Sequence, residues 1–166
     1  GHDSVPWCPR CETAISQHEM LTEDYKEMTH KSVYLKLPLV DGVKEYLLVW
    51  TTTPWTIPAN IAVAVDPKID YSLVQLLSGD AIWVAKDAAA RIFAGGKFTV
   101  IKTVPGNKLI GRKYKGPYDN LPAVSEVSKH QKFHTVVPTD SKIMPITSTE
   151  GTGLVHSAPG HGKEDY

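Results

Sequence analysis

The chain is poor in cysteine, in net charge and in long apolar runs. Two cysteines, Cys8 and Cys11, occur in 166 residues. That excludes a secreted disulfide framework and leads us to expect a reducing, cytoplasmic setting. Lys plus Arg equals Asp plus Glu at 18 each, so the formal net charge is zero. A protein held to nucleic acid mainly by phosphate attraction needs a basic excess, so that class is excluded; one short contact with a nucleic-acid end is not. No apolar stretch reaches transmembrane length and no charged-then-apolar leader opens the chain, so no membrane partner is expected. The glycines near the C-terminus lack the spacing of a phosphate-binding loop, which removes a nucleoside triphosphate site.

What is present is ordinary globular composition, 42% apolar and 22% charged, long enough for one self-sufficient core. Gly1-His2 reads as a cloning remnant. The chain enters a cysteine motif at once and stops at Tyr166 as a glycine-rich turn leads into a helix, so a segment of a larger protein is expected. Residues 12–30 suit helix or extended chain. Ser32–Val40 alternates in polarity, Asp41-Gly42 signals a turn, and Lys44–Thr51 completes a hairpin. Ile61–Val65, Tyr71–Leu77, Ala81–Ala85 and Lys97–Val104 read as strands, and Val124–Val127, Phe133–Val137 and Leu154–His156 as further ones. Lys86–Phe93 is the one clear helix, closed by Gly95-Gly96. Many short strands, few helices and frequent Gly/Pro turns predict a mainly β, α+β fold, antiparallel and barrel-like.

Two segments are dense in chemistry. Trp50-Thr51-Thr52-Thr53-Pro54-Trp55-Thr56-Ile57-Pro58-Ala59-Asn60 ends a strand in hydroxyls, indoles and rigid prolines, the make-up of a site wall rather than of a turn. Gly151-Thr152-Gly153 leads into a strand that ends near His156, and Gly160-His161-Gly162 makes a turn from which Asp165 can fold back. The Asp165 carboxylate suits an ammonium group. The same residues also have plainer readings: a strand-end His that bonds structurally, and an Asp that favours a helix dipole. His156, His161 and Asp165 as metal ligands, or a Thr/His/Asp nucleophilic triad, stay open as alternatives. Cys8-Pro9-Arg10-Cys11 has the spacing of half a zinc knuckle; the alternative is a purely structural turn.

Trp50–Asn60 and Gly151–Tyr166 together resemble the editing domain of isoleucyl-tRNA synthetase, the connective-polypeptide insertion of class I aminoacyl-tRNA synthetases. Thr53-Pro54-Trp55-Thr56 stands where the valyl and leucyl relatives usually carry Arg after two threonines, and Cys8–Thr13 is similar to the root of the insertion. The resemblance implies a root over 1–30 and an editing domain over 31–166. The synthetase nucleotide-site signatures are missing, so no amino-acid activation is implied. The implied activity is hydrolysis of valine wrongly esterified to the acceptor end of tRNA(Ile), and of valyl-adenylate. No cofactor is implied for editing, and a structural zinc only in the full-length enzyme. Thr51, Thr52 and Thr53 would hold the terminal adenosine and the attacking water, with Trp55 and Thr56 shaping the same wall. His156 would reject isoleucine and Asp165 would hold the substrate ammonium. Gly151, Thr152, Gly153, Gly160 and His161 would let the chain approach the substrate. The implied partners are the tRNA end and the remainder of the parent synthetase. An aminoacyl-adenosine binding module without turnover and a metal-dependent hydrolase are the alternative functions.

Overall fold

A computed structural model describes residues 5–22, 27, 29, 31–130, 132–142, 144–162 and 165. The chain opens with β1 (Trp7–Cys8) and β2 (Thr13–Ala14), a short antiparallel hairpin, and then α1 (Gln17–Thr22). Ser16 and Glu19 form a capping box ahead of α1: Ser16 N donates to Glu19 Oε2 at 2.7 Å and Glu19 N to Ser16 Oγ at 3.3 Å. Then come β3 (Val33–Pro38), β4 (Glu45–Thr51), β5 (Ala62–Val65), β6 (Asp70–Leu76), β7 (Ala81–Ala85), α2 (Lys86–Ile92), β8 (Phe98–Pro105), α3 (Pro122–Val127), β9 (Thr135–Pro138) and β10 (Leu154–Ser157). Short 3₁₀ helices span Pro54–Ala59 and Gly106–Lys108.

The strands build a five-stranded sheet, β3-β4-β7-β6-β8, and a three-stranded sheet, β10-β5-β9, beside the terminal hairpin. The hairpin expected around Asp41-Gly42 forms in the register Val33↔Thr51 to Pro38↔Tyr46. The mainly β character with few helices is as expected, but β4–β7 and β5–β9 are parallel pairs. Among the described residues neither sheet closes on itself. The core lies between the sheets: Leu37, Leu47 and Val49, with Trp83, Tyr71 and Val65, against Val136, Leu109 and Leu154. Every residue of β7 is buried, as a run covered on both faces must be.

Residues 124–127 are helical rather than extended. Pro122 pre-sets φ at the first helical position, and Ala123 and Glu126 are good helix formers. No helix of the described residues is long and apolar enough to cross a membrane.

Gly153 ties the two sheets together. It sits at φ +80°, and a Cβ there would come 2.3 Å from Ala85 Cβ. Beside it, Ala85 N donates to Thr152 O at 2.7 Å, and Tyr71 OH donates to Gly153 O at 2.7 Å. Gly153→Ala combines left-handed strain with overpacking, so we expect a loss of about 2–4 kcal/mol. The urea midpoint at unchanged m-value measures it.

Candidate functional site

The threonine-rich wall follows from the local sequence. β4 ends at Thr51, and Pro54, lacking an N–H, starts the 3₁₀ turn instead of extending the ladder. Thr53 N donates to Thr51 Oγ1 at 3.1 Å, and the Thr51 and Thr53 hydroxyls lie 3.2 Å apart. Thr56 Oγ1 donates to Thr53 O at 2.8 Å. These side chains therefore hold one another, while Thr52 is exposed. Trp55 points away, 67% exposed and off the cleft lining.

The other wall is β10. It pairs with β5 in the register His156↔Val63, which sets the imidazole against the threonine turn. His156 Nε2 lies 2.8 Å from Thr56 Oγ1, and its Nδ1 lies 3.4 Å from Asn60 Nδ2. Asn60 in turn accepts from Tyr114 OH at 2.6 Å and donates to Ala62 O at 2.9 Å. Burial pulls the His156 imidazole below its ordinary value; the Asp165 charge opposes this and His161 adds to it. A buried neutral imidazole offers one donor and one acceptor, and both ring nitrogens face partners here.

The two segments enclose a cleft of about 520 Å³. Thr51, Thr52, Thr53 and Thr56 line one side; Val155, His156, Ala158, His161 and Asp165 line the other, with Trp50, Met144 and Pro145 completing it. Gly162 leaves room for Asp165, since a Cβ there would meet its Oδ2 at 2.6 Å. Gly151, Thr152 and Gly153 do not line the cleft. Arg91 donates to the carbonyls of Ser148 and Gly151, Gly151 packs on Trp50, and Thr152 Oγ1 bonds Leu154 O at 3.2 Å. Their glycines admit neighbouring protein, not a ligand. Gly160 is exposed with open space around it and is also off the lining.

Sequence reasoning gave no role to Asn60, Tyr114, Met144 or Pro145. For Asn60 there was a signal, an amide closing a proline-rich turn. For the others nothing in local spacing links them to the cleft.

Cys8 and Cys11 are both free thiols on the β1–β2 hairpin. The Cys11 amide, then that of Arg10, holds the Cys8 thiol below its ordinary value. The pair supplies two of the four donors a structural zinc takes. Among the described residues no three His, Cys, Asp or Glu side chains converge as a metal set, there or in the cleft.

No family model matches the chain. It is 41% identical to the isoleucine–tRNA ligase of Saccharolobus islandicus, over 100% of the chain and 15% of that relative. It is 44% identical to the isoleucine–tRNA ligase of Methanothermobacter marburgensis, over 98% of the chain and 14% of that relative. Its fold is similar to GlLeuRS-CP1, with a TM-score of 0.64 at 21% identity, covering 82% of this chain and 57% of that one. It is also similar to the P. knowlesi cytosolic leucyl-tRNA synthetase editing domain, with a TM-score of 0.56 at 14% identity, over 78% and 57% of the two chains. The chain belongs to the isoleucyl-tRNA synthetase family, as a segment spanning about 15% of its relatives and folded as an aminoacyl-tRNA synthetase editing domain.

Proposed function

We propose that the cleft hydrolyses valine from misacylated tRNA(Ile), with valyl-adenylate as a second substrate. What carries the reading is the convergence of hydroxyl-rich and His/Asp segments on one cleft of a chain whose relatives are isoleucine–tRNA ligases. The chemistry needs such a site. Isoleucine exceeds valine by one methylene, which an apolar pocket resolves by only about 1–3 kcal/mol, this synthetase being the standard illustration. A second, smaller pocket inverts the problem by refusing the larger side chain.

In this reading the Thr51–Thr53 turn and Thr56 hold the terminal adenosine and position the attacking water, with Thr52 the most exposed of the four. Asp165 accepts from the substrate ammonium, a charge-assisted contact. His156 abuts the amino-acid side chain and limits its size. The ester is already activated, so orienting water and stabilising the oxyanion replaces a covalent nucleophile. Most tRNA affinity resides in the rest of the parent synthetase, in keeping with the neutral charge of this chain.

Deacylation of Val-tRNA(Ile) and Ile-tRNA(Ile), by the chain and by a synthetase carrying it, tests the proposal. The valine ester should be cleaved far faster; equal fast rates would end the size-exclusion model. Tight binding of a non-hydrolysable valyl-adenosine analogue without any ester cleavage would favour a capture module instead, and activity lost on chelation would favour a metal hydrolase. Asp165→Ala should lower valine deacylation by about ten- to a hundredfold with the fold intact, as expected for a lost charged hydrogen bond. His156→Ala should bring Ile-tRNA(Ile) into hydrolysis, narrowing the Val/Ile ratio about tenfold or more.

The depressed His156 value also sets a pH dependence. The unfolded chain binds this proton more readily than the folded one, so the stability it contributes is full above about pH 6.5 and is lost as pH falls toward the lower folded value. Urea midpoints should therefore drop between about pH 7.5 and 5.5. The drop should be smaller in His156→Gln; equal drops would show that His156 is not the group responsible.

A further inference from the structure

Asn60 is held from three directions. Its backbone carbonyl lies 3.2 Å from His134 Nε2, and that imidazole stacks on Tyr114 at 4.9 Å between centroids. Its side-chain amide has a determined orientation. Ala62 O at 2.9 Å and Ser157 O at 3.5 Å can only accept, so the NH₂ group faces them. The amide oxygen then faces the Tyr114 hydroxyl at 2.6 Å. Tyr114 is 2% exposed, and burial pushes its ionisation well up, so this hydroxyl remains a donor.

The consequence passes to His156. Its Nδ1 looks onto the Asn60 NH₂ at 3.4 Å, so Nδ1 accepts and the ring proton sits on Nε2. Nε2–H then donates to Thr56 Oγ1 at 2.8 Å, and Thr56 passes its own proton on to Thr53 O at 2.8 Å. Every bond from Tyr114 to Thr53 points the same way, and reversing any one would leave two donors or two acceptors face to face.

We propose that Asn60 is a positioning residue of the cleft: its amide, oriented by the Ala62 and Ser157 carbonyls and capped by the Tyr114 hydroxyl, fixes His156 as the Nε2–H tautomer, so that His156 meets the threonine wall as a donor and not as a base. The lone pair that would take a proton from water is turned inward, toward Asn60. His156 orients Thr56 and shapes the pocket, and proton removal from the attacking water falls to the substrate or to solvent. The activity readout rests on the editing reading above; the tautomer does not.

The test is ¹⁵N NMR of the histidine-labelled chain at about pH 8, above the ordinary imidazole range. His156 should show a protonated Nε2 and a bare Nδ1. Asn60→Asp faces Nδ1 with an acceptor and should turn the proton onto it. Tyr114→Phe, which leaves the two carbonyls holding the amide, and Tyr71→Phe, which removes a buried hydroxyl bonded to Gly153 O, should both keep the wild-type pattern. Val-tRNA(Ile) deacylation by Asn60→Asp should lose about five- to tenfold in kcat with KM little changed, the worth of one hydrogen bond. Should Asn60→Asp not fold, the wild-type spectrum decides. A wild-type spectrum with the proton on Nδ1, or a folded Asn60→Asp with the wild-type pattern, overturns the proposal. The expected tautomers in a chain that never cleaves Val-tRNA(Ile) support the relay and overturn the editing reading instead.

Discussion

The hydrogen bond between Thr56 Oγ1 and His156 Nε2 spans 100 residues of sequence and joins the two halves of the cleft. It depends on two independent placements. Pro54 must end the β4 ladder and coil the threonines into a 3₁₀ turn, and β10 must dock on β5 with His156 opposite Val63. The second placement rests on the core, because Leu154 at the head of β10 pairs with Val65 and lies in the same buried cluster as Val136 and Tyr71. It rests equally on Gly153, where Ala85 comes too close for any side chain. The site is thus an outgrowth of the packing between two sheets, and its chemistry cannot move far without that packing moving too.

What the sequence revealed follows the range over which each signal acts. The β3–β4 hairpin was legible because alternation and Asp41-Gly42 are local. The capping box at Ser16 and Glu19 is equally local, yet the polar faces of 12–30 obscured it. Parallel partners such as β4 and β7 carry no turn between them to announce the pairing. Val124–Val127 read as a strand because two valines outweighed Pro122, whose place at a helix start is the better guide.

The site was legible in the same uneven way. Thr51, Thr52, Thr53, Thr56, His156, His161 and Asp165 stood out in dense polar clusters and share one cleft, whereas Trp55, of the same cluster, turns out of it. Gly151 and Gly153 signalled close approach correctly, but a glycine does not say what approaches it, and here it is Trp50 and Ala85. Tyr114 and Asn60 are 54 positions apart, and only the tertiary fold brings them to 2.6 Å.

The threonine wall has one more property. The hydroxyls of Thr51, Thr53 and Thr56 are already bonded within the protein, Pro54 removes torsional freedom between Thr53 and Thr56, and Pro58 removes more just beyond them. Such a wall is stiff. A pocket that selects by size works only as far as its lining declines to yield, because a compliant lining swells around the larger guest and erases the difference. Under the proposed editing reading, selectivity in this cleft is therefore a matter of elastic resistance as much as of shape, supplied by the prolines that look incidental in the sequence.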